Sequence, residues 1–214
     1  MQQASMSEQR KIILASASPR RKELLGLIGL KFRVAVSDYE EDLSLKLKPC
    51  ELAKYLSFEK ARAVAPNYKD AVIIAADTFI VFRGKLLGKP HTDKEAMRML
   101  TLLNGRSHSV ITGYTVLDTR NGKKSSHSEE TTVWFRKMTD DELRAYVRTG
   151  EPLDKAGAYA IQGIGSLIVK KIEGDYFNVI GLPVASLVVT LKKFGISVFD
   201  SSGGMFPANS KKSI

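Results

Sequence analysis

Five short segments carry residue types suited to an anionic ligand. Ser16-Ala17-Ser18-Pro19-Arg20-Arg21 follows an apolar run and precedes a leucine-rich stretch. Ser18 as N-cap and Pro19 at the first helical position mark a helix start. A helix N-terminus presents unpaired N–H groups and a positive dipole end, both of which attract phosphate. Two adjacent arginines add forked, multidentate donors. They also oppose the dipole, at ~0.3–1 kcal/mol each, a cost that a ligand would justify; a capped helix with solvated arginines is the plain alternative. Asp77-Thr78 ends the apolar run Ala71 to Ala76. Ligands in α/β sheets sit beyond the carboxyl ends of strands. A carboxylate there can hold Mg²⁺ or activate water, or it can simply cap a turn.

The other three segments are weaker signals. In Gly88-Lys89-Pro90 the glycine permits close approach and the proline stiffens the loop, so the lysine can act as a fixed point charge; a hairpin exit reads equally well. It is not a Walker A loop, which needs Gly-x-x-x-x-Gly-Lys-Ser/Thr. The run from Asp154 to Gly163 is dense in small residues, which lets backbone approach a ligand. Its Gln162 offers both a donor and an acceptor, suited to a base edge. The run from Gly174 to Pro183 lines the same cleft or is a plain connector.

The elements that must position these residues form an α/β pattern. The sequence predicts strands over 11–15, 32–36, 71–76 (ending on Asp77-Thr78), 79–82, 85–87, 107–119, 130–136 and 166–172. It predicts helices over 19–28, 49–65, 92–103, 139–148 and 183–194. Leu24, Leu25, Leu27 and Ile28 form the apolar face of the first helix; Leu52, Leu56 and Ala63 form that of the second. Asn121-Gly122 is a hairpin turn between long strands, which argues against an all-parallel sheet. Thr139 to Glu142 is a capping box.

The 214 residues suffice for one sizeable domain, expected over 11–200, with a polar leader (1–10) and a polar tail (201–214) expected to be disordered. The N-terminus lacks the features of a secretory signal. No apolar run reaches 18 residues, so no membrane span is expected. The lone Cys50 forms no internal disulfide, which fits a reducing, cytoplasmic setting. His91, His108 and His127 show no metal-ligand spacing. The net charge of +10 favours anionic partners. The basic residues are spread along the chain without interleaved aromatics, so a small polyanion fits at least as well as nucleic acid.

The order of these segments resembles the Maf family of nucleoside triphosphate pyrophosphatases from about Lys11 to Asp200. The resemblance rests on Ser16 to Arg21, Glu59-Lys60-Ala61-Arg62-Ala63, Ala76-Asp77-Thr78, Gly88-Lys89-Pro90, Thr112-Gly113-Tyr114, Asp154 to Tyr159 and Asn178 to Pro183. It implies a two-lobed, mixed α/β fold like that of inosine triphosphate pyrophosphatase, with an elongated sheet, flanking helices and a central cleft. It implies hydrolysis of a triphosphate to the monophosphate and pyrophosphate, a divalent metal cation (Mg²⁺ or Mn²⁺), and often a homodimer. Asp77 matches the catalytic position; Glu41 matches a second carboxylate near the metal. Ser16, Arg20, Arg21, Lys60, Thr78, Lys89 and Gln162 match substrate-binding positions. Arg20, Thr78 and Gln162 agree with the dTTP/UTP subgroup, in which Thr78 and Gln162 would read the base edge. A 7-methyl-GTP or modified-purine pyrophosphatase and a non-catalytic regulator of cell division are the rival readings. Ala76 departs from a common glycine.

Overall fold

The computed structural model describes residues 10–43 and 45–199. The expected tail, and the expected leader apart from Arg10, lie outside them. Strands β1 (Lys11–Leu14), β2 (Arg33–Val34), β3 (Ala71–Phe82), β4 (Lys85–Leu87), β5 (Ser107–Asp118), β6 (Lys124–Phe135) and β7 (Val169–Glu173) form one mixed sheet. Its order is β2-β1-β3-β5-β6-β7, with β4 also paired to β3. Helices α1 (Pro19–Leu27), α2 (Pro49–Val64), α3 (Asp93–Leu103), α4 (Asp140–Arg148), α5 (Tyr176–Ile180) and α6 (Val184–Lys192) flank it. Among the described residues no helix is long and apolar enough to cross a membrane.

The topology places a gap at the centre of the sheet. β5 pairs antiparallel with β3 from Val72 to Val81 along one edge. On the other edge β1 pairs in parallel with Ala71–Ile74, and β4 pairs antiparallel with Ile80–Phe82. Among the described residues, 75–79 of β3 therefore have no strand beside them on that edge. Asp77 and Thr78 sit in this gap, in the middle of a continuous twelve-residue strand rather than at its end. The two polar residues read as a strand end, but pairing with β5 carries the backbone straight through them.

Strand alternation then sends the two neighbours to opposite faces. Ile73, Ala75 and Phe79 pack on the α2 side, with Ala61, Val64, Leu52 and Leu56. Asp77 shares that face. Thr78 falls on the other side, in line with Ala76 and Ile80. There the apolar surface divides into two clusters. One holds Ala76, Tyr114, Leu24, Leu25, Leu182 and Leu187; the other holds Ile80, Val110, Leu100, Leu143 and Tyr159. Thr78 and Thr112 lie between them along β3 and β5, so a polar seam divides the two lobes of the core.

Several local expectations hold. Ser18 caps α1, its hydroxyl accepting from Arg21 N, and Gly29 turns the chain away at φ 72°. Thr139 and Glu142 form the capping box of α4. Others need correction. Leu27 is 65% exposed and Ala63 only half-buried; Ala61 and Val64 complete the buried face of α2. β2 is two residues long, and β6 begins earlier, at Lys124. β7 starts at Val169 because Gly163–Leu167 forms a 3₁₀ turn. The stretch after Gly174 contains the short helix α5, capped by Asp175, whose Oδ1 accepts from Phe177 N at 2.7 Å and Asn178 N at 3.2 Å.

Candidate active site

The gap in the sheet edge opens into a cavity of about 910 Å³. Ser16, Arg20, Arg21, Glu41, Lys60, Asp77, Thr78, Lys89 and Gln162 all line it. Every sequence-predicted site residue is thus brought to one place.

On the α2 side, Lys60 Nζ lies 2.6 Å from Asp77 Oδ1 and 2.6 Å from Glu41 Oε1. The side chains of Lys60 and Asp77 are nearly buried, 12% and 7% exposed, whereas Glu41 is open to solvent. The ammonium stands between two carboxylates and offsets the charge that both bring to the cleft. Lys60 can reach them because α2 lies close on the sheet, and Gly113 allows that approach. Gly113 faces Asp77 in the β3–β5 register. A Cβ on it would run into the Ala53 carbonyl and come within 2.6 Å of Lys54 N. Two turns along α2 from Ala53 comes Lys60. Ser57, between them, hydrogen-bonds Thr115 of β5 at 2.8 Å and keeps the helix seated.

On the other face Arg21 is a buried hub. Its Nε donates to Gly181 O at 2.8 Å, one terminal nitrogen to Ser16 Oγ at 3.1 Å, and the other to Thr78 Oγ1 at 3.0 Å. Burial lowers its pKa, while the nearby charges of Asp77 and Glu41 act in the opposite direction. One guanidinium thus ties the α1 turn, β3 and the α5–α6 turn together. Gly181 takes φ 126°, a conformation that favours glycine, to present that carbonyl.

Arg20, Lys89 and Gln162 form no hydrogen bond or ion pair among the described residues, although the charge of Arg20 acts on Asp154 and Tyr146. Their polar ends are available to a ligand. Their backbones are fixed nonetheless. Gly157 N donates to Gly88 O at 2.9 Å, which ties the Lys89 loop to the loop before Gln162. Glu151 anchors the other side, accepting from Tyr146 OH (2.8 Å), Gly165 N (2.9 Å) and Ile164 N (3.1 Å). Sequence reasoning passed over Glu151, whose only local signal is a carboxylate after a helix-ending glycine. Asp154 and Lys155, which open the small-residue segment but carry no individual role in the sequence reading, pair with each other at the cavity wall.

Among the described residues no group of three or more His, Cys, Asp or Glu side chains is placed to hold a metal. His108 is buried in the core, its Nε2 2.8 Å from Tyr159 OH. Burial pulls its pKa from 6.5 down to about 4. The folded state therefore favours the neutral ring; its contribution is intact above pH 6.5 and is lost as pH falls toward 4. His108→Phe is expected to remove part of the fall in melting temperature across that range, measured by thermal denaturation against pH.

The sequence matches the family described as "Maf-like protein" over residues 11–194. Among curated relatives, a dTTP/UTP pyrophosphatase of Methanosarcina barkeri is 54% identical over 192 residues, 89% of this chain and 98% of that protein. A dTTP/UTP pyrophosphatase of Thermoanaerobacter pseudethanolicus is 53% identical, with coverage of 86% and 96%. One of Moorella thermoacetica is 48% identical, with coverage of 88% and 97%. With a cleft that gathers the expected residues and these matches along nearly its whole length, the chain belongs to the Maf family.

Proposed function

We propose that this protein hydrolyses dTTP and UTP at the α–β phosphoanhydride, giving the nucleoside monophosphate and pyrophosphate and so removing these nucleotides from the pool. The observation that carries the reading is the convergence of Arg20, Arg21, Lys60 and Lys89 around Asp77 in one cavity, in a chain about half identical to dTTP/UTP pyrophosphatases. A triphosphate carries about four negative charges, and preorganised cations stabilise the charge that grows on the leaving phosphate.

The donor set suits Mg²⁺ or Mn²⁺. Asp77 and Glu41 offer hard oxygens near enough to share one cation, since a single ammonium touches both. Magnesium is commonly held by one or two carboxylates, with substrate phosphates and water completing its shell. When bound, such an ion offsets phosphate charge and makes a coordinated water more acidic. Asp77 Oδ1 is occupied by Lys60, so Oδ2 is the atom that receives the proton of the attacking water. Lys60 holds Asp77 in place for that transfer. Ser16 and the α1 N-terminus present N–H and hydroxyl groups to the phosphates, and Lys89 closes the opposite wall.

Gln162 reads the base. It is half-buried, is anchored through Ala160 on one side and Ile164 and Gly165 on the other, and among the described residues keeps its amide free. An amide supplies one donor and one acceptor to the carbonyl and N3–H of uracil or thymine. Gln162→Glu replaces the donor by a charge that repels those carbonyls. The dTTP:GTP ratio of kcat/KM is expected to fall about 10-fold or more in that variant. A panel of dTTP, UTP, CTP, GTP and 7-methyl-GTP with pyrophosphate detection measures it. An unchanged ratio would remove Gln162 from base selection, and a wild type that prefers 7-methyl-GTP would place the protein in the rival purine class.

A further inference from the structure

The hydroxyl protons of the polar seam run in one direction only. Thr112 Oγ1 lies 2.9 Å from the main-chain carbonyl of Asn178. A carbonyl has no proton to give, so Thr112 spends its own on it. Thr112 also lies 2.9 Å from Thr78 Oγ1, and with its proton spent it can only accept there. Thr78 must therefore donate inward to Thr112. Thr78 also accepts from the Arg21 guanidinium at 3.0 Å. The far end is rigid, because Asn178 is fully buried and its Nδ2 donates to Val110 O at 3.0 Å and to Thr131 Oγ1 at 2.9 Å.

We infer that Thr112 is a positioning residue for substrate phosphates: by fixing the direction of the Thr78 proton it makes Thr78 an acceptor that aims Arg21 into the cleft. Thr78 has no proton left for the carbonyls of a pyrimidine, so it serves the phosphate end of the substrate rather than the base. The hydrogen bonds to Gly181, Ser16 and Thr78 use three of the five Arg21 N–H groups. One on each terminal nitrogen is left for phosphate oxygens. This inference rests on the cleft being a triphosphate site, and it transfers to Thr78 and Thr112 a task that subgroup resemblance assigns to base reading.

Inorganic tripolyphosphate, which has no base, separates the two roles. Thr78→Val and Thr112→Val are expected to weaken tripolyphosphate binding and raise the KM for dTTP together, each by about 10-fold, with the dTTP:GTP ratio kept within twofold of the wild type (about RT ln 2 in free energy). Thr78→Ser and Thr112→Ser keep the hydroxyls and are expected to behave as wild type. A collapsed dTTP:GTP ratio with unchanged tripolyphosphate binding overturns the inference, and so does no change in either. Should Thr112→Val fail to fold, Thr78→Val decides the matter by the same readouts. Calorimetric binding of tripolyphosphate to the wild type requires no turnover. An enzyme inactive on dTTP yet dependent on Thr78 for tripolyphosphate binding would refute the proposed reaction and leave this inference standing.

Discussion

Asp77→Asn is expected to lower kcat for dTTP by about 10²–10⁴-fold, the range usual for loss of a positioned acid–base group, while the protein stays folded. The amide keeps the shape of the side chain and can still accept from Lys60, and Glu41 remains to neutralise the ammonium 2.6 Å away. The variant loses the ability to take a proton at Oδ2 and half of the carboxylate pair that suits a divalent ion. The KM for dTTP should change less than kcat, because Arg20, Arg21 and Lys89 still bind the phosphates. Steady-state kinetics beside a thermal melt measure both quantities. Near wild-type turnover would dismiss Asp77 as the catalytic group.

Gly113→Ala should damage the enzyme through a residue that touches no substrate. The added methyl meets main-chain atoms of Ala53 and Lys54, which cannot rotate away as a side chain can. Overpacking of this kind costs about 1–3 kcal/mol, a fall of several degrees in melting temperature for a chain of this size. Relief requires α2 to rise off β5, and Lys60 travels with it. A displacement of about 1 Å at a catalytic group can cost about 10²-fold in rate. Gly26→Ala is the control: its methyl meets nothing within 4 Å in α1, and activity and stability should be kept or slightly raised. A Gly113→Ala enzyme with wild-type kcat would show that Lys60 does not depend on this close approach.

The parts of the fold legible in the sequence were those with local causes. Ser18-Pro19 starts a helix by capping chemistry, Asn121-Gly122 turns a hairpin by backbone preference, and the Ala71–Ala76 run is buried because both faces of β3 are covered. The residues singled out from the sequence as a site all line one cavity. What escaped depends on partners distant in sequence. Nothing near Asp77-Thr78 announces that β5 carries the strand through them. That continuity puts Asp77 on the α2 face and Thr78 on the Arg21 face, which separates two neighbours that local reading treats as one turn. Gly113 looks like any strand glycine until Ala53 is seen above it. Thr112 and Asn178 have no local signal of their polar role, because their partners, Thr78 and Val110, come from other stretches of chain. Leu27 misled for the opposite reason: an apolar residue at helical spacing remained exposed at the end of α1.

The central claim is that the cleft hydrolyses the α–β anhydride of a pyrimidine triphosphate. Phosphorus NMR of dTTP incubated with the purified protein and Mg²⁺ tests it most directly, since each product has its own resonance. Equal amounts of dTMP and pyrophosphate are expected, at a rate lowered about 10²–10⁴-fold by Asp77→Asn. Formation of dTDP and inorganic phosphate, or dTTP left intact, would contradict it.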